Sequence, residues 1–113
     1  MNIKDQIKEN VAKITERDGI QNQLDITVEE AGEWLQALMK YGRKKREIYH
    51  SPEKVEEAFN HLIDETADMY FMLYTIEQVY GLDFKDIEER LKVKNERINK
   101  KLNGTYDENK KDI

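Results

Sequence analysis

Ile3, Ile7, Val11 and Ile14 recur at steps of four, four and three, the spacing that lines one face of a helix. The stripe predicts a short amphipathic helix from Ile3 to the Asp18-Gly19 pair, which stops it. A second stripe, Val28, Ala31, Leu35 and Leu38, predicts the inner face of another helix. Thr27 opens that helix in T-V-E-E, a capping box with Glu30 as the reciprocal acid, and Gly42 is its expected stop. The segment GRKKREIYH, Gly42 to His50, reads as a loop. Ser51-Pro52-Glu53 then supplies a cap, a first helical residue and an acidic first turn. From Pro52 the pattern runs to Tyr80, where Gly81 ends it, and that length invites a bend or break near Asn60. Asp83 caps a last helix that turns Phe84, Ile87, Leu91 and Ile98 inward and stops between Leu102 and Gly104. No segment alternates as a strand does. The expected fold class is all-α, with packed antiparallel helices in the manner of a four-helix bundle and one domain over residues 1–103. Residues 104–113 carry no period and read as a flexible tail.

The second half of the third helix changes this picture. From Ala67 to Ile76 it reads ADMYFMLYTI, apolar or aromatic at nearly every step except Asp68. A helix apolar on all sides has to be covered on all sides. Three other helices of one small chain fall short of that, so a homodimer or homotetramer is expected to complete the core. An ionised carboxylate in such a helix costs several kcal/mol unless it is paired or holds a metal.

Composition narrows the chemistry. With 113 residues, 38% charged, five glycines and one proline, the chain suits a single core of helices with charged outer faces. A net charge of −5 argues against stable nucleic-acid binding or an anionic membrane surface. The absence of cysteine removes disulfides, thiolate metal sites and a cysteine nucleophile. Met1 leads into polar sequence, and the longest apolar run is too short to span a bilayer, so a cytoplasmic protein is expected.

Two helices carry acids three residues apart, Glu30 with Glu33 and Glu65 with Asp68. Each pair lies on one helical face, and two such pairs facing each other supply four oxygen donors, the ligand type of Mg²⁺ or Mn²⁺. The bland alternatives are a capping role for Glu30 and a buried basic partner for Asp68. A di-iron site normally needs Glu-x-x-His motifs, which neither His50 nor His61 provides.

EEAGEWLQAL followed by HLIDETADMYFML resembles the MazG-like all-α nucleoside triphosphate pyrophosphohydrolases, whose signature is ExxE, a spacer, then ExxD. Gln23-Leu24 and the YGLDF turn also fit, and the likeness runs from Ile20 to Leu102. A spacer of 31 residues between Glu33 and Glu65 is towards the long end for the pattern. The resemblance implies packed helices, assembly as a dimer or dimer of dimers, and Mg²⁺-dependent cleavage of a nucleoside triphosphate into a monophosphate and pyrophosphate. By position it makes Glu30, Glu33, Glu65 and Asp68 the metal ligands. Of the inner glutamates, Glu33 is our choice as the base for the attacking water.

A triphosphate also needs cations. Arg90, Lys94 and Arg97 share one face of the last helix, as phosphate ligands or as a solvated face. The run Arg43 to Arg46, flanked by Tyr41 and Tyr49, is a solvated loop more readily than a nucleic-acid patch, and Lys40 and Arg43 are placed to meet a phosphate tail. Trp34 either stacks a base or joins the core. Gln23 and Asn22 are base readers by resemblance only. The rival to the enzyme is a non-catalytic helical module that binds a protein or a nucleotide.

Overall fold

The computed structural model describes residues 1–47 and 51–104. It is all-α, with helices α1 (Ile3–Asp18), α2 (Ile20–Arg46), α3 (Pro52–Tyr80) and α4 (Phe84–Leu102) and no strand among the described residues. The chain forms two compact units, Met1–Gly81 and Leu82–Ile113. In the first, α2 packs along α3, and α1 packs on both. The second holds α4. No helix among the described residues is long and apolar enough to cross a membrane.

The helix ends follow local chemistry. The Asn2 side chain accepts the Asp5 N–H at 2.9 Å and starts α1. Ser51 Oγ accepts the Lys54 N–H and starts α3 with Pro52 behind it, and Asp83 accepts the Lys85 N–H at the start of α4. Gly81 ends α3 at φ 65°, in the left-handed region where a side chain would be strained. Residues 105–113 of the expected tail, and the Tyr49 and His50 end of the expected loop, lie outside the described residues.

Three expectations about α2 and α3 are corrected. First, α2 does not begin at Thr27 but at Ile20, immediately after Gly19. Thr27 is mid-helix, and its hydroxyl donates to the Gln23 carbonyl at 2.9 Å and touches Met72 Sδ at 3.5 Å. Second, Gly42 does not stop α2, which continues through Arg43–Lys45 to Arg46. Four basic residues in that last turn suit the negative end of the helix dipole. Third, α3 runs without a break through Asn60.

The inner face of α2 also differs from the expected one. The stripe that meets α3 is Gln23, Thr27, Glu30, Trp34, Ala37 and Tyr41, at steps of four and three. Its partner on α3 is Val55, Ala58, Leu62, Glu65, Met69 and Met72, again at three and four. Alternating steps of that kind keep a straight seam between two long helices. Thr27 with Met72, Trp34 with Thr66, and Tyr41 with Phe59 (ring centroids 5.3 Å apart) fix an antiparallel register. Val28 and Leu35, expected inside, are 74% and 51% exposed. Ala31 is half-buried beside the seam, and Leu38 is exposed. Helix α2 carries two apolar stripes, and hydropathy alone does not say which of them the chain covers itself. In α4, Ile87 is half-buried, whereas Phe84, Leu91 and Ile98, also expected inside, are exposed.

Candidate active site

The α2–α3 seam carries acids at its middle. Glu30 and Glu33 lie on α2 and Glu65 on α3, and one carboxylate oxygen from each lies within 4.8 Å of the other two. The antiparallel register puts them at one level, because Trp34, next to Glu33, gives its indole N–H to Thr66, next to Glu65, at 3.1 Å. Thr66 in turn donates to the Leu62 carbonyl at 2.6 Å. This side-chain bridge between the two helices sits one residue from two of the acids.

Burial is unequal among them. Glu65 is the inner acid, with a side chain 13% exposed and Oε2 buried without a hydrogen-bond partner. Its other oxygen is 3.9 Å from His61 Nε2. Glu30 is half-buried and Glu33 exposed. Burial pushes the Glu30 carboxyl above its ordinary value, and the charges of Glu33, Asp68, Glu65 and Glu29 push it the same way. Asp68 is close enough to act on Glu30 electrostatically, yet it is exposed and lies outside the group of three.

That exposure corrects the expectation that Asp68 is buried. The apolar residues around it, Tyr70 and Leu73, are open as well, the second 55% exposed. The acid that needs compensation is Glu65. The signal was present in the sequence, since Glu65 falls on the stripe from Val55 to Met72, whereas Asp68 lies one position off it.

The donor set suits a hard divalent cation. All the donors are carboxylate oxygens, one of them buried and unpartnered, and burial together with the neighbouring acids raises the proton affinity of Glu30. Glu30, Glu33 and Glu65 would hold such a cation through oxygens that lie within 4.8 Å of one another.

Of the other candidate residues, Gln23 is buried in the seam and Asn22 is exposed beside it. Trp34 is half-buried, with its N–H committed to Thr66. Lys40 and Arg43 line a surface hollow of about 200 Å³ with Lys44 and Glu47. Arg90, Lys94 and Arg97 are on α4 in the second unit, where Arg97 is half-buried and the other two are exposed. His61, which has no role in the sequence pattern, is drawn to the acids through Glu65.

Residues 2–95 match the phosphoribosyl-ATP pyrophosphohydrolase family, which is most of the chain and spans all the acids just described. The chain belongs to that family. This refines the resemblance drawn from the motifs: phosphoribosyl-ATP pyrophosphohydrolases are an all-α nucleotide pyrophosphohydrolase family related to the MazG superfamily, not MazG itself. Comparison with curated proteins and with solved structures gives no match. Membership of the phosphoribosyl-ATP pyrophosphohydrolase family implies pyrophosphohydrolase activity on a nucleotide and makes the chain a hydrolase of that type.

Proposed function

We propose that this protein is a Mg²⁺-dependent pyrophosphohydrolase that cleaves a nucleoside triphosphate between its α and β phosphates, releasing a nucleotide monophosphate and pyrophosphate. Phosphoribosyl-ATP stands beside the ordinary NTPs and dNTPs as a candidate substrate because of the family to which the chain belongs. The observation that carries the reading is the meeting of Glu30, Glu33 and Glu65 across the seam around an unpartnered buried oxygen. Glu30, Glu33 and Glu65 would hold the cation, with Asp68 as a fourth acid at the rim; Mn²⁺ offers the same chemistry. When bound, the cation supplies charge neutralisation for the phosphates and lowers the pKa of water.

The chain's own residues do the rest. Glu33 is the exposed member of the group and is open to a water molecule, so it is assigned the proton that leaves as the water oxygen bonds to the α phosphorus. The bond from that phosphorus to the α–β bridging oxygen breaks, and the electron pair departs with pyrophosphate. Glu65, held at the seam, fixes the cluster against α3, and the Trp34–Thr66 hydrogen bond keeps α2 and α3 in register. Phosphate contacts are assigned to Lys40 and Arg43. We further read the working form as a cytoplasmic homodimer or homotetramer, since Tyr70, Leu73 and Tyr80 on α3 and Val28 and Leu35 on α2 are bare in one chain.

The test is to supply each NTP and dNTP, and phosphoribosyl-ATP, with and without Mg²⁺, and to measure monophosphate and pyrophosphate together. Equal amounts of both, dependent on metal, are expected. Asp68→Asn and Glu65→Gln should each lower kcat/KM by about a hundredfold or more, the equivalent of losing roughly 3 kcal/mol of transition-state stabilisation. Turnover that survives both substitutions, or a melting temperature unmoved by Mg²⁺, would remove the acid cluster from the chemistry.

A further inference from the structure

About two helical turns from the acids, roughly 10 Å along α2, the α2–α3 groove opens into a cavity of about 250 Å³ lined by Lys40, Lys44, Lys54, Glu57, Ala58 and His61. Lys40 and Lys44 come from α2 and Lys54 from the first turn of α3, so lysines of two helices line one concave surface. A merely solvated lysine face would spread its charges over a convex one. Among the described residues, Glu57 is the only acid in the lining and none of these lysines has an ion pair. His61 links the two regions: it lines the cavity, and its Nε2 stands 3.9 Å from Glu65 Oε1. The cavity and the acid cluster therefore share a wall. Positive charge gathered in a hollow attracts phosphate oxygens, to which ammonium groups make short, charge-assisted hydrogen bonds.

We propose that this cavity is a phosphate subsite, in which Lys44 and Lys54 join Lys40 in holding a phosphoryl group of the nucleotide that lies away from the acids. The proposal rests on the pyrophosphohydrolase reading and adds to it a second anchoring point at a fixed remove from the scissile bond. Two sources carry a phosphoryl group of this kind: the terminal phosphates of the triphosphate chain, or a phosphate on a second sugar such as a phosphoribosyl group. Either is recognised by the same lysines.

Steady-state kinetics of Lys44→Gln and Lys54→Gln, with the matching Lys→Arg variants, on both ATP and phosphoribosyl-ATP test the subsite. Each loss of an ammonium group should raise KM about tenfold, the size expected for one charge-assisted hydrogen bond, while kcat stays within about twofold. Arginine should restore most of the loss. A KM change on phosphoribosyl-ATP alone assigns the subsite to the second sugar's phosphate, and an equal change on both substrates assigns it to the triphosphate tail. An unchanged KM on both, or a fall in kcat alone, would overturn the proposal. Should neither nucleotide be turned over, calorimetric titration of inorganic pyrophosphate in the presence of a chelator decides independently of the acids. Binding weakened by both glutamine variants supports the subsite, and no binding to the wild-type protein refutes it.

Discussion

Glu30 shows how the site works against its own fold. Its carboxyl is half-buried among Glu33, Asp68, Glu65 and Glu29, and its proton affinity is raised above the ordinary value of 4.5. A carboxyl with a higher pKa folded than unfolded favours folding while it is protonated. That contribution is complete below the unfolded pKa and lost as pH rises through the folded one. The Glu30 contribution should therefore shrink as pH rises out of the ordinary glutamate range to neutrality, so that the melting temperature of the metal-free wild type falls relative to that of Glu30→Gln. Glu30→Gln should raise the melting temperature of the metal-free protein at neutral pH and abolish most of the stabilisation that Mg²⁺ gives the wild type. Thermal melts in chelator and in Mg²⁺, across the acid range and at neutrality, check both. A variant that melts lower than the wild type without metal would show that Glu30 is instead a stabilising partner in the seam.

At the scale of the element, the two candidate caps separate cleanly. Ser51 accepts the Lys54 N–H at 3.3 Å and begins α3, whereas Thr27 stands within α2 and bonds back to Gln23. Ser51→Ala should cost about 1 kcal/mol, the usual loss for a helix cap. Thr27→Ala should cost less, because alanine's better helix propensity, roughly 0.6 kcal/mol, offsets the weaker packing against Met72. Urea unfolding followed by circular dichroism orders the two; a larger shift for Thr27→Ala would put a helix boundary there after all. The capping-box pattern at Thr27 misled because Glu30 serves a different purpose. It is an acid of the cluster, and the same T-x-x-E spacing suits either role.

At the scale of the molecule, uncovered apolar surface is the dominant feature of the single chain. Helices α2 and α3 use one stripe each for their mutual seam and leave a second apolar stripe bare. Monomeric soluble proteins rarely keep such stripes open, and a second copy of the chain is the expected cover. Light scattering at micromolar concentration should give a dimer or tetramer mass. Leu73→Lys, on the bare face of α3, should shift the population toward monomer while leaving the helical content of the chain intact. A wild-type protein that is monomeric at that concentration would remove the argument from the apolar stripes.

What the sequence determined by itself is local. The helical period, the caps at Ser51 and Asp83, the stop at Gly81 and the acid pairs at a three-residue spacing all follow from interactions within a turn or two of chain. The all-α class and the candidate acids were legible for that reason. The tertiary structure alone decided which of the two apolar stripes of α2 faces α3, because both satisfy the same hydropathy pattern. It also decided that Glu30 and Glu33 meet Glu65 across the seam, and that Lys40, Lys44, Lys54 and His61 line one cavity. The reason is physical: residues far apart in the chain meet only when packing fixes the register of two helices. Here that register is set by Trp34 on Thr66, Thr27 on Met72 and Tyr41 on Phe59, none of which a spacing within one helix reveals.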